Sequence, residues 1–417
     1  MRANAALSPD ALAIVLVCSS LALDAAAEVK PLTPGEWHTL AVALRESTLQ
    51  RPRELLGRSG DELREQLDVS AEMGVRLEAL LARGGQLALA LERLAGRGIW
   101  VLTRADDRYP TLLKQQLRGQ APPLLFGAGS QERLDAPAIA IVGSRDVDDQ
   151  GLELSTALGR RCAQQGFAVV SGAARGVDAT AMAGSLDAGG LALGITVDPL
   201  ERLVRRRDLR EPLSEGTLTL MTPFRPDARW HAGNAMRRNR LVYALSRAAV
   251  VVASSAARGG TRAGALENLK AGWVPLWVRD DGTPGAEDLI AAGARALPTQ
   301  LDGLDLERLG AAAPPVQAPL PVVLPPVFEV PTAAAPAAPK DDDLFVCVWP
   351  VLARYLGEPR SVEDVSQHFD LAPTQVRAWL KRAEQDEFVE ATRRPRRYVL
   401  ARPEQEPLFP SVRAVGA

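Results

Sequence analysis

The sequence predicts an α/β protein built on a doubly wound parallel sheet, and three observations in the middle of the chain lead there. Apolar runs of strand length occur at 138–142, 168–171, 191–196, 217–221, 249–253 and 274–278. Segments with apolar residues at helical spacing fall between them, near 150–165, 177–186, 234–245, 262–271 and 287–292. A glycine-bearing turn follows directly on three of the strands. Strands that are apolar along their whole length are buried on both faces, as in a parallel sheet covered by helices. The expected architecture is Rossmann-like, and such sheets bind ligands at the carboxyl ends of their strands.

In chain order, residues 1–100 come first and have a helical pattern. Ser8-Pro9-Asp10 reads as a helix start, because serine caps and proline suits the first turn. The apolar stretch 11–23 that follows is bracketed by Asp10 and Asp24 and is too short to span a bilayer. We therefore read it as a buried helix rather than a signal peptide or membrane span. Apolar residues recur at helical spacing in 37–44, 62–67 and 77–94, with Gly or Pro between the stretches. Residues 101–310 form the Rossmann-like domain. Residues 311–340 are a Pro/Ala-rich linker, which should be extended because proline fixes φ and lacks a donor.

Residues 341–402 form a small unit of their own. It contains a helix from Ser361-Val362-Glu363, a turn at Asp370-Leu371-Ala372-Pro373 and a second helix to about Gln385. Phe388-Val389-Glu390-Ala391 and Tyr398-Val399-Leu400 then flank the basic tip Arg393-Arg394-Pro395-Arg396-Arg397. Helix, turn, helix and a two-stranded wing make a winged helix, with Val376, Trp379 and Leu380 on the buried face. Modules of this kind contact either DNA or protein. Residues 403–417 read as a tail.

Composition narrows the function. The chain has 417 residues, 47% apolar and 24% charged, with a formal net charge of −2. These values exclude wholesale disorder and a basic coat for duplex DNA, so a phosphate-bearing partner needs local basic clusters. The three cysteines, Cys18, Cys162 and Cys347, and the three histidines, His38, His231 and His368, are widely spaced. They suggest no disulfide framework, no metal site and a reducing, cytoplasmic setting. No cofactor is expected.

The chemistry sits at the turns. Gly143-Ser144-Arg145 ends the first parallel strand and offers backbone N–H groups, a hydroxyl and a guanidinium near a helix start. Ser171-Gly172-Ala173-Ala174-Arg175-Gly176-Val177-Asp178 repeats that logic after the second strand, and Arg258-Gly259-Gly260-Thr261 after the fifth. One such turn only reverses the chain, but three on one sheet edge suit an anion. Arg237-Arg238-Asn239-Arg240 opens an amphipathic helix, where arginine can grip phosphate with two parallel hydrogen bonds. Asn239 could hold a loop or read a base, and the bland alternative for the cluster is a solvated basic face. Asp178 should hold Arg175 or cap its helix, because it would repel phosphate.

Gly143-Ser144-Arg145, Ser171-Gly172-x-Ala174-Arg175-Gly176-x-Asp178, Arg238-Asn239-Arg240 and Gly259-Gly260-Thr261 occur in the order seen in the DNA-processing protein A (DprA/Smf) family. The lead-in Trp100-Val101-Leu102-Thr103, Tyr109-Pro110 and Pro122-Pro123-Leu124-Leu125-Phe126-Gly127 resembles that family too. The resemblance covers roughly residues 100–295. It implies single-stranded DNA binding, a homodimer, loading of a RecA-type recombinase during natural transformation, and no membrane association. It assigns the DNA phosphate pocket to Gly143, Ser144, Arg145, Ser171, Gly172, Arg175, Gly176, Asp178, Arg237, Arg238, Asn239, Arg240, Gly259, Gly260 and Thr261. The chain departs from the family pattern around that pocket. Ala181-Met182 replaces an Ala-His pair, Thr196-Val197-Asp198-Pro199-Leu200 replaces Gly-Leu-Asp…Tyr-Pro, and Ala235-Met236 replaces an aromatic-proline pair. It therefore resembles a divergent branch. Single-strand binders stack bases on aromatic rings. Here only Phe224, Trp230 and His231 are placed to do so, and binding should rest mainly on phosphates.

The sequence has no Walker A lysine, nucleophile elbow or zinc-ligand spacing, so an enzyme is not expected. Two alternatives use the same turns. A nucleotide sensor of an antiphage system would bind there without catalysis. A LOG-type nucleoside-monophosphate phosphoribohydrolase would need a glutamate close behind Gly260-Thr261. Glu267 lies about a helical turn too far along.

Overall fold

The computed structural model describes residues 7–23, 29–229, 231–255, 259–298, 301, 303–311, 352–353, 355–369, 373–385, 388–392 and 397–400. They fall into two compact units, one within residues 1–320 and one within 321–406. In the larger unit, strands β3 (Ala138–Gly143), β4 (Ala168–Ser171), β5 (Leu191–Ile195), β6 (Leu218–Thr222), β7 (Ala248–Ala253), β8 (Leu276–Val278) and β9 (Arg295–Ala296) run parallel. β1 (Trp100–Thr103) and β2 (Leu124–Ala128) add an antiparallel edge against β6, giving the order β1-β2-β6-β5-β4-β3-β7-β8-β9. The six predicted strands are present within a few residues of their expected bounds. The antiparallel edge was not anticipated, because short, fully buried edge strands such as β1 and β2 have the same apolar content as a buried loop.

Alternation along the strands explains the layers. Ile139 and Ile141 enter one apolar cluster while Ala138, Ala140 and Val142 enter the other, and Val250 and Val252 are likewise separated from Ala249 and Val251. Both faces are thus buried, as continuous apolar strands require. One face is covered by α1 (Pro9–Cys18), α5 (Gly84–Ala95), α7 (Asp149–Gln164), α8 (Val177–Asp187), α9 (Leu200–Leu203), α10 (Arg207–Glu215) and α14 (Leu306–Ala311). The other is covered by α6 (Thr111–Leu117), α11 (Ala232–Ala244), α12 (Gly260–Ala271) and α13 (Pro284–Ala291). Each buried leucine in these layers contributes about 2 kcal/mol. α7 and α8 approach closely, since Gly159 and Gly184 each face the other helix where a Cβ would overlap backbone of Ala181 or Thr156.

The apolar stretch near the start is the buried helix α1, capped by the Ser8 hydroxyl, which accepts from Ala11 N at 3.1 Å. Asp10 in its first turn pairs with Arg51 at 2.6 Å and accepts from Arg53 N at 3.0 Å. Its last turn is closed by the buried Arg83, whose guanidinium donates to the carbonyls of Leu16, Ser19, Leu21 and Leu80. α2 (Pro34–Glu46) and α3 (Gly60–Leu67) both start on capping boxes, Thr33/Glu36 and Ser59/Glu62. The periodic stretch 77–94 is divided between α4 (Ala71–Leu81) and α5, with the break at Ala82-Arg83. Among the described residues, no helix is long and apolar enough to cross a membrane.

The smaller unit has helices Val362–Phe369 and Pro373–Gln385 followed by an antiparallel ribbon, Val389–Ala391 with Tyr398–Leu400. Its core includes Leu352, Leu356, Val365, Val376, Trp379, Leu380 and Tyr398. Most of the linker, the wing-tip residues 393–396, Cys347 and the tail lie outside the described residues.

Candidate nucleic-acid interface

The sheet order reverses between β3 and β7, which opens a crevice at their carboxyl ends. The predicted turns meet there. Ser144 N donates to the Ala253 carbonyl at 3.0 Å, and the Thr261 hydroxyl donates to the Gly143 carbonyl at 3.0 Å, tying the β3 turn to the β7 turn and α12. The β3 turn also abuts the β4 turn. Gly176 has φ +85°, and a Cβ on it would stand 2.7 Å from the Ser144 carbonyl, so both its conformation and its neighbours demand glycine. Ala173 in the same turn takes φ +51°, a left-handed conformation that a non-glycine residue adopts under strain. Arg145 and Arg175 are exposed on this rim.

The basic quartet of α11 does not form one patch. Its side chains fan out as the helix rotates by about 100° per residue. Arg237 lies over the Phe224 ring, 5.7 Å from its centroid. Arg238 turns inward to Gly172, where a Cβ would collide with its guanidinium and with the Asp178 carboxylate. Asn239 Nδ2 donates to the Gly260 carbonyl at 2.9 Å and so holds the β7 turn. Arg240 pairs with Glu267 of α12 at 2.6 Å. The solvated-face alternative therefore fails for Arg238, which is 7% exposed. A signal for this was present, because 238 precedes the buried Leu241, Val242 and Leu245 at i+3, i+4 and i+7.

Charge at the crevice is compact. Asp178 and Arg238 face each other at 3.8 Å with both side chains nearly inaccessible. The expected partner of Asp178 was Arg175; the structure gives it Arg238, and Gly176 rather than Asp178 occupies the N-cap of α8. Burial raises the Asp178 pKa, opposed by the Arg238 charge and by the polar surroundings that Ser171 and the backbone of Ala174 and Gly143 provide; the Ser171 hydroxyl itself donates to the Ile141 carbonyl at 2.5 Å. Burial lowers the Arg238 pKa, opposed by Asp178 and Asp198. Arg238 Nε is buried with no hydrogen-bond partner. Half-buried Asp198, at the end of β5, has its pKa raised by burial against the attraction of Arg145, Arg238, Arg202 and Arg206. Sequence reasoning missed that convergence, since Arg202 and Arg206 lie in a basic run with no motif of its own.

The three nearby helix starts differ. α7 is closed, because Asp148 caps it by accepting from Gly151 N at 2.9 Å and is clamped by Arg279 at 2.7 Å and 3.0 Å. α8 and α12 begin on Gly176 and Gly259 without a side-chain cap. In α8 the N–H groups of Val177 and Ala179 donate to the Ser144 and Ala174 carbonyls, whereas the start of α12 at Gly260 and Thr261 offers its N–H groups to an anion. The rim thus gathers Gly143, Ser144, Arg145, Ser171, Gly172, Arg175, Gly176, Arg238, Gly259, Gly260 and Thr261, while Arg240 and Asn239 serve as braces. Arg258 and Trp230 lie outside the described residues. Among the described residues, no cluster of His, Cys, Asp and Glu could hold a metal.

The structure is thus a Rossmann-like, doubly wound sheet with a basic, glycine-lined crevice at its switch point. Residues 100–306 match the model for DNA recombination-mediator protein A, and this domain is similar to the DprA/Smf family. It is 31% identical over 277 residues to a putative DNA processing protein DprA of Mycobacterium tuberculosis, covering 60% of this chain and 64% of the relative. It is 27% identical over 208 residues to DNA processing protein DprA of Bacillus subtilis, covering 48% and 69%. The chain thus spans just under two thirds of the mycobacterial relative's length. Among solved structures it is similar to DNA processing protein A of Streptococcus pneumoniae, with TM-score 0.45 and 20% identity over 64% of this chain and 95% of that one.

Proposed function

We propose that this chain binds single-stranded DNA through its phosphates along the rim of β3, β4, β7 and α11. In this reading it protects incoming DNA and delivers it to a RecA-type recombinase in natural transformation, acting as a cytoplasmic homodimer. DNA contact falls to the domain 101–310, with the helical region 1–100 packed beside it, the linker 311–340 leading to the winged helix 341–402, and the tail 403–417 last. The observation that carries the reading is the convergence of the uncapped start of α12, Arg145 and buried Arg238 on glycine turns that permit backbone approach. The family's description as a recombination mediator supports the recombinase partner. The carboxylate that a phosphoribohydrolase would need, Glu267, is engaged by Arg240 instead.

The test is to titrate labelled oligo-dT and a panel of mononucleotides against the full chain at two salt concentrations. Oligo-dT should bind at micromolar or tighter concentrations and weaken steeply with salt, with a log–log slope of about −0.7 per phosphate contacted. Arg145→Ala should weaken binding and flatten that slope. Tight mononucleotide binding without an oligo-dT signal would replace this reading with a nucleotide sensor, and release of free base would replace it with a hydrolase.

A further inference from the structure

We infer that Phe224 and Arg237 form a stacking platform for an unpaired nucleobase next to the phosphate rim. The inference rests on the single-strand reading above and adds a base subsite to it. Phe224 lies two residues beyond β6, half-buried, yet it joins none of the apolar clusters of the described residues. A ring that is not part of a core has its faces occupied some other way. One face is covered by the Arg237 guanidinium at 5.7 Å from the centroid. Arg237 is the one member of the α11 quartet not spent on bracing the pocket. Arg238 faces Asp178, Asn239 holds Gly260 and Arg240 holds Glu267, whereas Arg237 has no carboxylate partner among the described residues.

A guanidinium lying over a ring presents a planar, polarisable surface on which a base can stack, and it makes no demand on the base's hydrogen-bonding edge. The platform therefore suits any unpaired base. Position agrees with this role. β6 lies two strands from β4, a separation of about 10 Å at ordinary inter-strand spacing. Arg237 is adjacent in sequence to Arg238, which packs on Gly172 at the end of β4. A nucleotide with its phosphate at that turn can place its own base, or its neighbour's, on Phe224.

The experiment measures anisotropy of the full chain with two labelled strands of equal length, oligo-dT and an abasic deoxyribose-phosphate strand. Wild type should bind oligo-dT about tenfold more tightly than the abasic strand, the range of one stacked base. Phe224→Ala should remove that preference while leaving abasic affinity unchanged, and Phe224→Trp should restore it. Arg237→Lys, which keeps the charge but loses the plane, should behave like Phe224→Ala. An unchanged preference in Phe224→Ala, or equal weakening of both strands, overturns the platform while the single-strand reading stands. Failure of wild type to bind either strand overturns that reading, and the platform with it.

Discussion

Replacing Arg238 with methionine tests the pocket where its energetics are most exposed to measurement. The ion pair it breaks is buried on both sides, with 8% and 7% of the Arg238 and Asp178 side chains accessible and the charges 3.8 Å apart. Removing one partner of such a pair costs about 3–5 kcal/mol, because the other charge is left uncompensated. An independent bound comes from titration. Asp178 can escape by taking up a proton, which for a carboxyl titrating near pH 3.9 in the unfolded chain costs about 4 kcal/mol at pH 7. The two figures agree. They also fix the sign with pH. A folded-state pKa raised above the unfolded value means proton uptake on folding, so the deficit of the variant should shrink as pH falls, to about 1.5 kcal/mol at pH 5. Urea unfolding followed by tryptophan fluorescence at both pH values measures it. The double variant Arg238→Met/Asp178→Asn should recover most of the stability while oligo-dT affinity stays as low as in the single variant. A deficit below about 1 kcal/mol at pH 7, or one that does not change at pH 5, would refute the reasoning. Either result would mean that Asp178 already carries a proton beside Arg238.

Three further outcomes are expected of the same unit. Gly172→Ala should weaken oligo-dT binding at least tenfold with the sheet intact by circular dichroism, because the added methyl occupies the space of the Arg238 guanidinium. Arg83→Met should lower unfolding free energy by about 3 kcal/mol, since four carbonyls at the end of α1 and α4 lose their donor; a change under about 1 kcal/mol would mean that water replaces the guanidinium. Glu36 is held at about pKa 2 by its hydrogen bond from Arg76, with the Thr33 capping box adding to it. Its contribution is complete above the unfolded value near 4.5 and lost as pH falls through about 2. Melting temperatures should therefore fall more steeply across that window in wild type than in Glu36→Gln, which keeps the cap but not the charge.

Much of this molecule was legible in the chain alone. Ser8-Pro9-Asp10 marked the start of α1, and the runs at 138–142 and 249–253 marked strands covered on both faces, because capping and periodicity act over a few residues. The glycines at 143, 172, 176 and 259 marked the rim for the same reason, since backbone that must turn or admit a close neighbour excludes a Cβ whatever lies elsewhere. The pairings were decided by tertiary structure. Asp178 meets Arg238 rather than Arg175, and Asp198 sits among Arg145, Arg202, Arg206 and Arg238, only because strand order sets β3, β4 and β5 side by side and lays α11 across their ends. Helical spacing aligned Arg238 with the apolar stripe of α11, but nothing local distinguishes an arginine that stays at the edge of such a stripe from one buried over a glycine. That distinction depends on which surfaces the sheet brings together, and a charge's energy depends on the dielectric and the neighbours it then finds.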